Sequence, residues 1–356
     1  MKIFDIHIIY KLLFLILIII YMFILIYNKI FYKKKKVGVI GLRHEVNIGN
    51  ILLKYAISIK LSELGFEPYI IGTHWRNKNI TFLKEKTNLI VIKNNFSEIK
   101  RNDYDFLIVN SDQTWRKFDD FFYDYGFLKF AENWNIRKIV YGASLGYNYW
   151  KLTQNDERII KKLLNKFKGI SVREKGSIKL IKEHLGITPI YVLDPTLLIN
   201  KKYYLNLIKS YKGKIKIDKK YIFNYSIRKD INIINFINLL RNYTNYKLYN
   251  WYLKNSSKIE DFIYGIVNSQ AVITNSYHGT LFSIIFNKPF ITFISNNIAK
   301  ERFFTIGNVF GLNERIIWKN QIPKISLLRQ PLNINYTLLN ELKMKSINFI
   351  ITNLKF

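Results

Sequence analysis

The chain has 356 residues, and its 56 Lys and Arg outnumber 25 Asp and Glu, which gives a net charge of +31 at pH 7. Because 49% of the residues are hydrophobic, the chain can bury large cores and is not a disordered polycation. The length suggests two domains, and the absence of cysteine excludes disulfides, thiolate metal sites and a cysteine nucleophile.

The high charge raises the question of nucleic-acid binding, since Lys and Arg neutralise phosphates. The basic residues are mostly Lys, and they are spread among Ile, Asn and Tyr along the whole chain rather than gathered in one stripe. Arg, the usual residue for bidentate contacts to phosphates and base edges, is scarce. We therefore predict no nucleic-acid partner.

The first element in chain order is a nearly unbroken apolar run at residues 8–27, which only Lys11 interrupts. About 20 helical residues span the roughly 30 Å hydrocarbon layer of a bilayer. No small-x-small cleavage site follows the run, which argues against a cleaved signal peptide. The run predicts one transmembrane helix, so residues 1–36 are interpreted as a membrane anchor with a basic flank that contacts membrane lipid.

The charges beside this run predict its orientation. Lys29 and the four Lys at 33–36 follow the run, whereas only Lys2 and the amino terminus precede it. By the positive-inside rule, the rest of the chain lies on the cytoplasmic side. We therefore predict a single-pass membrane protein with a cytoplasmic catalytic body.

From residue 37 onward, short β-rich apolar runs alternate with helical stretches, a pattern typical of parallel sheets covered by helices. The strands predicted in the first half are 37–42, 68–72, 89–92, 105–110, 138–143, 170–173 and 191–193. The helices predicted there are 48–64, 155–167 and 176–185.

A low-complexity basic stretch at 209–220 interrupts the alternation and is interpreted as a linker between domains 37–208 and 221–356. Beyond it the strands predicted are 221–227, 247–251, 271–275 and 289–294. The helices predicted there are 231–243, 259–268 and 278–286, with a further helix at the end of the chain.

Ligands bind at the carboxyl ends of parallel strands, so polar residues that follow strands are candidates for a site. Asn47 and Asn50 open the helix after the first strand, where free N–H groups suit an anion, although Asn47 is equally well placed as the N-cap. Ser111, Asp112 and Gln113 follow the strand at 105–110. Asp112 is interpreted as a general base or a ligand of a sugar hydroxyl, with a turn carboxylate as the alternative.

Two further strand ends carry candidates. Arg173 ends the strand at 170–173, where its guanidinium could bind a phosphate or carboxylate or pair with Glu174 or a neighbour in the sheet. The strand at 271–275 leads to His278, the His best placed for proton transfer near neutral pH, with a structural hydrogen-bonding role as the alternative. His184 and the other histidines have no metal-ligand spacing with His278, so no metal site is predicted.

Seven short motifs occur in order along the chain. They are N-I-G-N-x-L-x-K-Y-A (47–56), Y-D-x-x-I-V-N-S-D-Q-x-W (104–115), Y-x-A-S-L-G (141–146), I-S-V-R-E-K (170–175), L-D-P-T-L-L (193–198), V-x-T-N-S-Y-H-G-T-x-F-S (272–283) and E-R-F (301–303). This ordered set resembles the polysaccharide pyruvyl transferase family over residues 37 to about 317.

The resemblance implies an α/β fold of two Rossmann-like domains that face each other across a cleft, as in GT-B glycosyltransferases. In this chain, the predicted transmembrane helix would precede them. The resemblance also implies transfer of a pyruvyl group from phosphoenolpyruvate, as donor substrate, to a sugar of a polysaccharide or glycolipid as a ketal. No cofactor is expected beside the donor.

The resemblance further implies roles for single residues. His278 would be the general acid/base or a ligand of the donor phosphate, and Asp112 would be the second catalytic residue. Arg173 and Arg302 would bind the anionic donor. The complete set of residues expected to bind substrate is Asn47, Asn50, Ser111, Gln113, Arg173, Asn275, Ser276, Gly279 and Arg302.

The chain departs from the pattern of relatives at two points. Asn110 stands where many relatives have Gly, and Arg116-Lys117 replaces a common Asn-Pro, which adds charge beside the cleft. Two alternatives remain open at this stage: a GT-B-like glycosyltransferase that uses a nucleotide sugar, and a membrane-tethered glycan-binding relative that is inactive.

Overall fold

The computed structural model describes residues 13–22, 34–42, 47–73, 79–92, 95–211, 220–241, 246–254, 257–295, 300–319 and 321–355. Of the predicted membrane span, residues 13–22 are described, and they form a helix whose apolar side chains are exposed. Among the described residues, no helix is both long enough and apolar enough to cross a membrane. The remainder of the predicted span lies outside the described residues, so the membrane anchor stays a prediction.

The first half of the body forms a seven-stranded sheet in which all neighbouring strands are parallel, in the order β3-β2-β1-β4-β5-β6-β7. Its strands are β1 (Lys36–Ile40), β2 (Glu67–Thr73), β3 (Asn88–Ile92), β4 (Phe106–Val109), β5 (Arg137–Ala143), β6 (Gly169–Val172) and β7 (Ile190–Tyr191). Its helices are α1 (Ile48–Glu63), α2 (Asn79–Lys86), α3 (Phe122–Phe127), α4 (Gln154–Leu164), α5 (Gly176–Leu185) and α6 (Lys201–Ile208).

The second half forms a five-stranded parallel sheet in the order β12-β11-β10-β8-β9. Its strands are β8 (Tyr221–Ser226), β9 (Lys247–Tyr252), β10 (Ala271–Thr274), β11 (Phe290–Ile294) and β12 (Ile316–Trp318). Its helices are α7 (Ile231–Arg241), α8 (Ile259–Asn268), α9 (Tyr277–Ile285) and α10 (Glu301–Phe310), and α11 (Tyr336–Leu354) ends the chain. The predicted α/β architecture with parallel sheets is confirmed.

The central strands are apolar on both faces because helices cover both sides of each sheet. All residues of β4, β8 and β11 are buried, which explains why β4 and β11 are nearly continuous apolar runs in the sequence. The predicted strands and helices of the alternating pattern all have counterparts, with ends shifted by a few residues. Helices α2, α3, α6 and α10 and strand β12 were not predicted. Most of the predicted linker, residues 212–219, lies outside the described residues.

The two halves of the body are joined by ring contacts and hydrogen bonding. Tyr204 of α6 packs edge-on against Phe282 of α9, with ring centroids 4.8 Å apart. Helix α11 follows the second sheet in the chain but packs on the first, since Phe349 contacts Tyr141 of β5. The Ser346 hydroxyl of α11 also accepts a hydrogen bond from the backbone N–H of Leu193 at 2.9 Å. These contacts fix the face that each half presents to the other.

Candidate active site

The carboxyl ends of the two sheets meet at a cavity of about 370 Å³. In the first sheet the chain runs from β1 outward to β3 and then returns to β4, so the strand order reverses between β1 and β4. In the second sheet the order reverses in the same way between β8 and β10. Such switch points open a crevice beyond the strand ends, and the loops after all four strands contribute residues to the cavity.

Most of the residues predicted from the sequence line this cavity. They are Asn47, Asp112, Gln113, Asn275, Ser276, His278 and Arg302. A larger groove of about 570 Å³ opens at the opposite edge of the first sheet, where Lys and Arg side chains lie beside Asp103 and Asp105. None of the residues predicted from the sequence as site residues lines that groove.

On the N-terminal side of the cavity, four polar residues form what we call the Arg173 network: Asn50, Asp112, Arg173 and Asp194. The Arg173 guanidinium is completely buried, and its two terminal nitrogens donate hydrogen bonds to Asp194 Oδ2 and Asp112 Oδ1, both at 2.8 Å. The side-chain amide of Asn50 donates to the other oxygen of Asp112, also at 2.8 Å. The network therefore joins the start of α1 to the ends of β4, β6 and β7.

Asp112 is held ionised and in a strained conformation. Burial alone would raise its pKa, but the adjacent Arg173 guanidinium, with smaller contributions from His278 and the Asn50 hydrogen bond, keeps the pKa well below the usual range. Its backbone has a φ of 109°, a region that costs a non-glycine residue about 1–3 kcal/mol. A backbone hydrogen bond from Ser144 to the Asp112 carbonyl at 2.9 Å helps to hold this conformation. An ionised Asp112 cannot donate a proton to substrate.

On the C-terminal side, His278 lies in the first turn of α9, whose N-cap is Ser276. Its Nε2 lies 3.8 Å from Asp194 Oδ2 and has no hydrogen-bond partner among the described residues. Burial lowers the pKa of His278 to about 4, although Asp194 acts in the opposite direction. The imidazole is therefore neutral at pH 7. It is packed against Gly49, where a Cβ would lie 2.0 Å from His278 Nδ1.

Arg302 of α10 is the second polar group on this side. Its guanidinium carbon lies 5.2 Å from the ring centroid of Tyr277 and 5.3 Å from that of Phe303. Burial lowers its pKa, but an arginine remains protonated at any physiological pH. Its Nε is buried without a partner, and Arg302 forms no hydrogen bond or ion pair with any residue that the structure describes. Arg302 is thus a cation at the cavity whose donors are not used by any residue that the structure describes.

The remaining cavity residues make defined local contacts. Asn275 joins the ends of β8 and β10, because its side chain accepts from the N–H of Ile227 at 2.8 Å and donates to the carbonyl of Arg228 at 2.9 Å. Asn47 is the N-cap of α1, and its side chain accepts from the N–H of Gly49 at 2.9 Å. Gln113 accepts a hydrogen bond from Arg116 at 3.2 Å.

Four of the predicted residues do not line the cavity. Asn50 and Arg173 belong to the Arg173 network. Of the two roles left open for Arg173 by the sequence, the geometry agrees with an ion pair to neighbours in the sheet, since the guanidinium binds Asp112 and Asp194. Ser111 donates to the carbonyl of Gly142 at 2.8 Å. Gly279 packs against β10, where a Cβ would lie 2.3 Å from the Thr274 hydroxyl oxygen. The contacts of these residues are internal to the protein.

Several residues in or directly behind the cavity wall were not identified from the sequence. Asp194 pairs with Arg173 and faces His278, Tyr277 lies against both Arg173 and Arg302, and Arg228 lines the cavity beside Asn275. Asp194 and Tyr277 belong to the motifs at 193–198 and 272–283, so these motifs could have identified them as candidates. Arg228 stands in no motif. Arg116, which was expected to add charge beside the cleft, lines the cavity.

Two parallel α/β sheets with facing carboxyl ends and a cavity between them define a GT-B-like fold, and solved structures agree. S. aureus MnaA in complex with UDP has 16% identity and a TM-score of 0.53, with 88% of this chain and 91% of that chain covered. The UDP-GlcNAc 2-epimerase of Methanocaldococcus jannaschii has 15% identity and a TM-score of 0.53, with 89% and 99% covered. The UDP-GlcNAc 2-epimerase of Neisseria meningitidis bound to UDP-GlcNAc has 11% identity and a TM-score of 0.52, with 88% and 93% covered.

At such low identities these structures are similar in fold alone. The family model of polysaccharide pyruvyl transferase matches residues 47–297, which is more than half of the chain and includes every motif named above except E-R-F. The chain therefore belongs to the polysaccharide pyruvyl transferase family. A search of curated protein sequences finds no significant match.

Proposed function

We propose that the protein transfers the pyruvyl group of phosphoenolpyruvate to a sugar of a polysaccharide or glycolipid and forms a ketal. Membership of the family supports pyruvyl transfer. The observation that carries the proposal for this chain is the C-terminal side of the cavity. There, Arg302 of α10 and the neutral imidazole of His278, at the start of α9, each have a buried nitrogen with no hydrogen-bond partner among the described residues.

The charge of the cavity suits phosphoenolpyruvate, which carries a phosphate and a carboxylate. Arg116, Arg228 and Arg302 line the cavity, and among the described lining residues Asp112 is the only acid. Since Asp112 is already paired with Arg173, the cavity has a net excess of positive charge. Arg302 binds one anionic group of the donor through its planar fork, and the positive end of the α9 dipole stabilises the other.

The reaction requires two proton movements. One sugar hydroxyl attacks C2 of phosphoenolpyruvate as the methylene carbon C3 gains a proton and becomes a methyl group. A second hydroxyl then forms the other C2–O bond, and the C2–O bond to phosphate breaks. The two hydroxyl protons end on the methyl group and on the released phosphate, so atoms and charge balance without a cofactor.

His278 is the proposed proton carrier. An anionic donor bound beside it favours the protonated ring, and the nearby Asp194 stabilises this imidazolium. The imidazolium donates its proton to C3 as the first hydroxyl attacks C2, and the neutral ring that remains accepts the proton of that hydroxyl through Nε2. In this proposal Arg173 positions Asp112 and Asp194 and does not itself contact the donor.

A second candidate function is glycosyl transfer from a nucleotide sugar. It is favoured by the similarity in fold to structures that hold UDP and UDP-GlcNAc. Thermal stabilisation of the protein by each ligand separates the two, because a ligand at a hundred times its Kd adds about 2.7 kcal/mol to the free energy of unfolding. Stabilisation by phosphoenolpyruvate and not by UDP-sugars is expected; the reverse would support the second candidate.

The reaction itself is tested by mass spectrometry of candidate glycans after incubation with the protein and phosphoenolpyruvate. We expect a mass gain equal to one pyruvyl ketal, with release of phosphate. The His278→Gln variant should lose roughly 10²- to 10⁴-fold in turnover and still be stabilised by phosphoenolpyruvate. Full turnover by this variant would remove the catalytic role of His278. Absence of phosphate release with every acceptor would support an inactive glycan-binding relative.

The proposed cellular setting follows from the sequence. The apolar run at residues 8–27 would tether the enzyme to a membrane, with its catalytic body on the cytoplasmic side, where a lipid-linked sugar acceptor is accessible. Protease protection of a tagged carboxyl terminus in intact membrane vesicles of known orientation tests this orientation.

A further inference from the structure

A second, smaller groove of about 150 Å³ lies beside the cavity. Four of its eight lining residues are aromatic, and two are lysines. The residues that line it are Trp115, Lys117, Leu145, Tyr147, Tyr149, Trp150, Lys151 and Leu152, and Tyr149 lies at its exposed edge. We propose that this aromatic groove is a subsite for the acceptor glycan, which binds a sugar unit next to the unit that is modified. This inference rests on the proposed function and names where the acceptor extends.

The aromatic groove adjoins the cavity along one segment of chain. Along residues 115–118 the lining alternates, since Arg116 and Phe118 line the cavity while Trp115 and Lys117 line the groove. Arg116 Nε also donates to the hydroxyl of Tyr147 at 3.1 Å. In this proposal, a glycan that occupies the cavity passes over Arg116 to reach the groove.

Arg116 is held between two aromatic rings, one on each side of this boundary. Its guanidinium carbon lies 4.7 Å from the ring centroid of Phe118 and 4.8 Å from that of Tyr147. Gly146 makes this arrangement possible, because a Cβ there would lie 2.9 Å from Arg116 Cδ, and its φ of +69° also favours glycine. The side chain of Arg116, which separates the groove from the cavity, is thus fixed by packing against its neighbours.

The chemistry of the groove suits a sugar. A pyranose presents C–H groups on its faces and hydroxyls around its rim, so it matches an aromatic wall that carries polar groups at the edge. Tyr149 is 50% exposed and offers its ring to such a face. Lys151 Nζ lies 3.3 Å from the Tyr147 hydroxyl and contacts the same ring, so a donor stands at the rim. The small volume limits the occupant to about one sugar unit.

The test measures glycan binding by the full chain through its tryptophan fluorescence, because Trp115 and Trp150 line the groove. The probes are tetrasaccharides of glucose, galactose, mannose and N-acetylglucosamine, each compared with its monosaccharide. We expect saturable binding of at least one tetrasaccharide, with its monosaccharide at least about tenfold weaker. Absence of saturable binding by every tetrasaccharide would overturn the proposal.

Variants of Tyr149 test whether the tetrasaccharide binds in the aromatic groove. Tyr149→Ala should weaken tetrasaccharide binding roughly 2- to 12-fold, the range for loss of one aromatic stacking contact, whereas Tyr149→Phe keeps the ring and should bind as the wild type does. Tyr336→Ala is the matched control, since Tyr336 is 53% exposed and lies outside the groove on α11. Unchanged binding by Tyr149→Ala would also overturn the proposal.

The outcome for the groove is separable from the outcome for the proposed function. Tyr149→Ala should keep wild-type stabilisation by phosphoenolpyruvate, because the donor lies in the cavity. If tetrasaccharide binding depends on Tyr149 but no glycan gains a pyruvyl group, the proposed function fails and the subsite stands. If transfer occurs equally to mono- and tetrasaccharides and Tyr149→Ala changes neither, the subsite alone fails.

Discussion

The two walls of the cavity differ in how their charged groups are paired. Behind the N-terminal wall, Arg173 bridges Asp194 and the cavity-lining Asp112, and all three side chains are buried. On the C-terminal wall, His278 Nε2 and Arg302 Nε have no hydrogen-bond partner among the described residues. Tyr277 lies between the walls, with the guanidinium carbons of Arg173 and Arg302 at 4.7 Å and 5.2 Å from its ring centroid.

This difference separates stability from binding. A buried ion pair with good geometry is expensive to break, because removal of one partner leaves the other charge without compensation. An unpaired polar group at a cavity has the opposite property, since its cost is relieved only when a ligand binds. The N-terminal wall is therefore expected to support the fold and the geometry of the site. The C-terminal wall is expected to bind the anion.

The largest effect is expected from Arg173→Ala, which leaves Asp112 and Asp194 buried without their shared cation. We expect a loss of about 3–5 kcal/mol in the free energy of unfolding, measured by urea denaturation. Arg173→Lys keeps the charge but cannot bridge two carboxylates with a planar fork, so it should recover only part of this loss. A fully stable Arg173→Ala protein would show that the network does not support the fold.

The second effect is expected from Arg302→Ala. Loss of a charged group that pairs with a bound anion costs about 2 kcal/mol or more, so phosphoenolpyruvate affinity should fall at least roughly 30-fold, measured by calorimetry. Stability should change far less than in Arg173→Ala. Arg329→Ala is the control, because Arg329 is exposed and does not line the cavity. Equal affinity in Arg302→Ala and wild type would assign the anion to another residue.

The sequence predicted which strand ends form the cavity, but it did not predict how the charged residues there are paired. Continuous apolar runs predicted the strands, and polar residues placed after β4 and β10 reached the cavity because the carboxyl ends of those strands meet there. The side-chain direction of Arg173 could not be predicted, since it depends on Asp112 and Asp194, which lie 61 and 21 residues away in the chain. Arg228 carried no signal in a chain so rich in basic residues.

A third effect concerns the pH dependence of stability. The pKa of His278 is about 4 in the folded protein against about 6.5 in an unfolded chain. As the pH falls from about 6.5 toward 4, the unfolded chain binds this proton first, so the free energy of unfolding should decrease by on the order of 2–3 kcal/mol. His278→Gln should lack this part of the decrease in urea denaturation. Parallel curves for the two proteins would show that His278 is not buried as a neutral ring.

The smallest effect tests the contact that joins the two walls, between Gly49 of α1 and His278 of α9. A Cβ at Gly49 would lie 2.0 Å from His278 Nδ1, so Gly49→Ala must displace the ring. We expect a loss of about 1–3 kcal/mol in the free energy of unfolding and a lower turnover with unchanged affinity for phosphoenolpyruvate. Gly41→Ala is the matched control, because its Cβ would lie 3.6 Å from the nearest atom, in Lys54, and should leave turnover as in the wild type. Equal turnover by Gly49→Ala and this control would show that the position of the imidazole does not matter to the reaction. The proton carrier would then be another residue of the C-terminal wall.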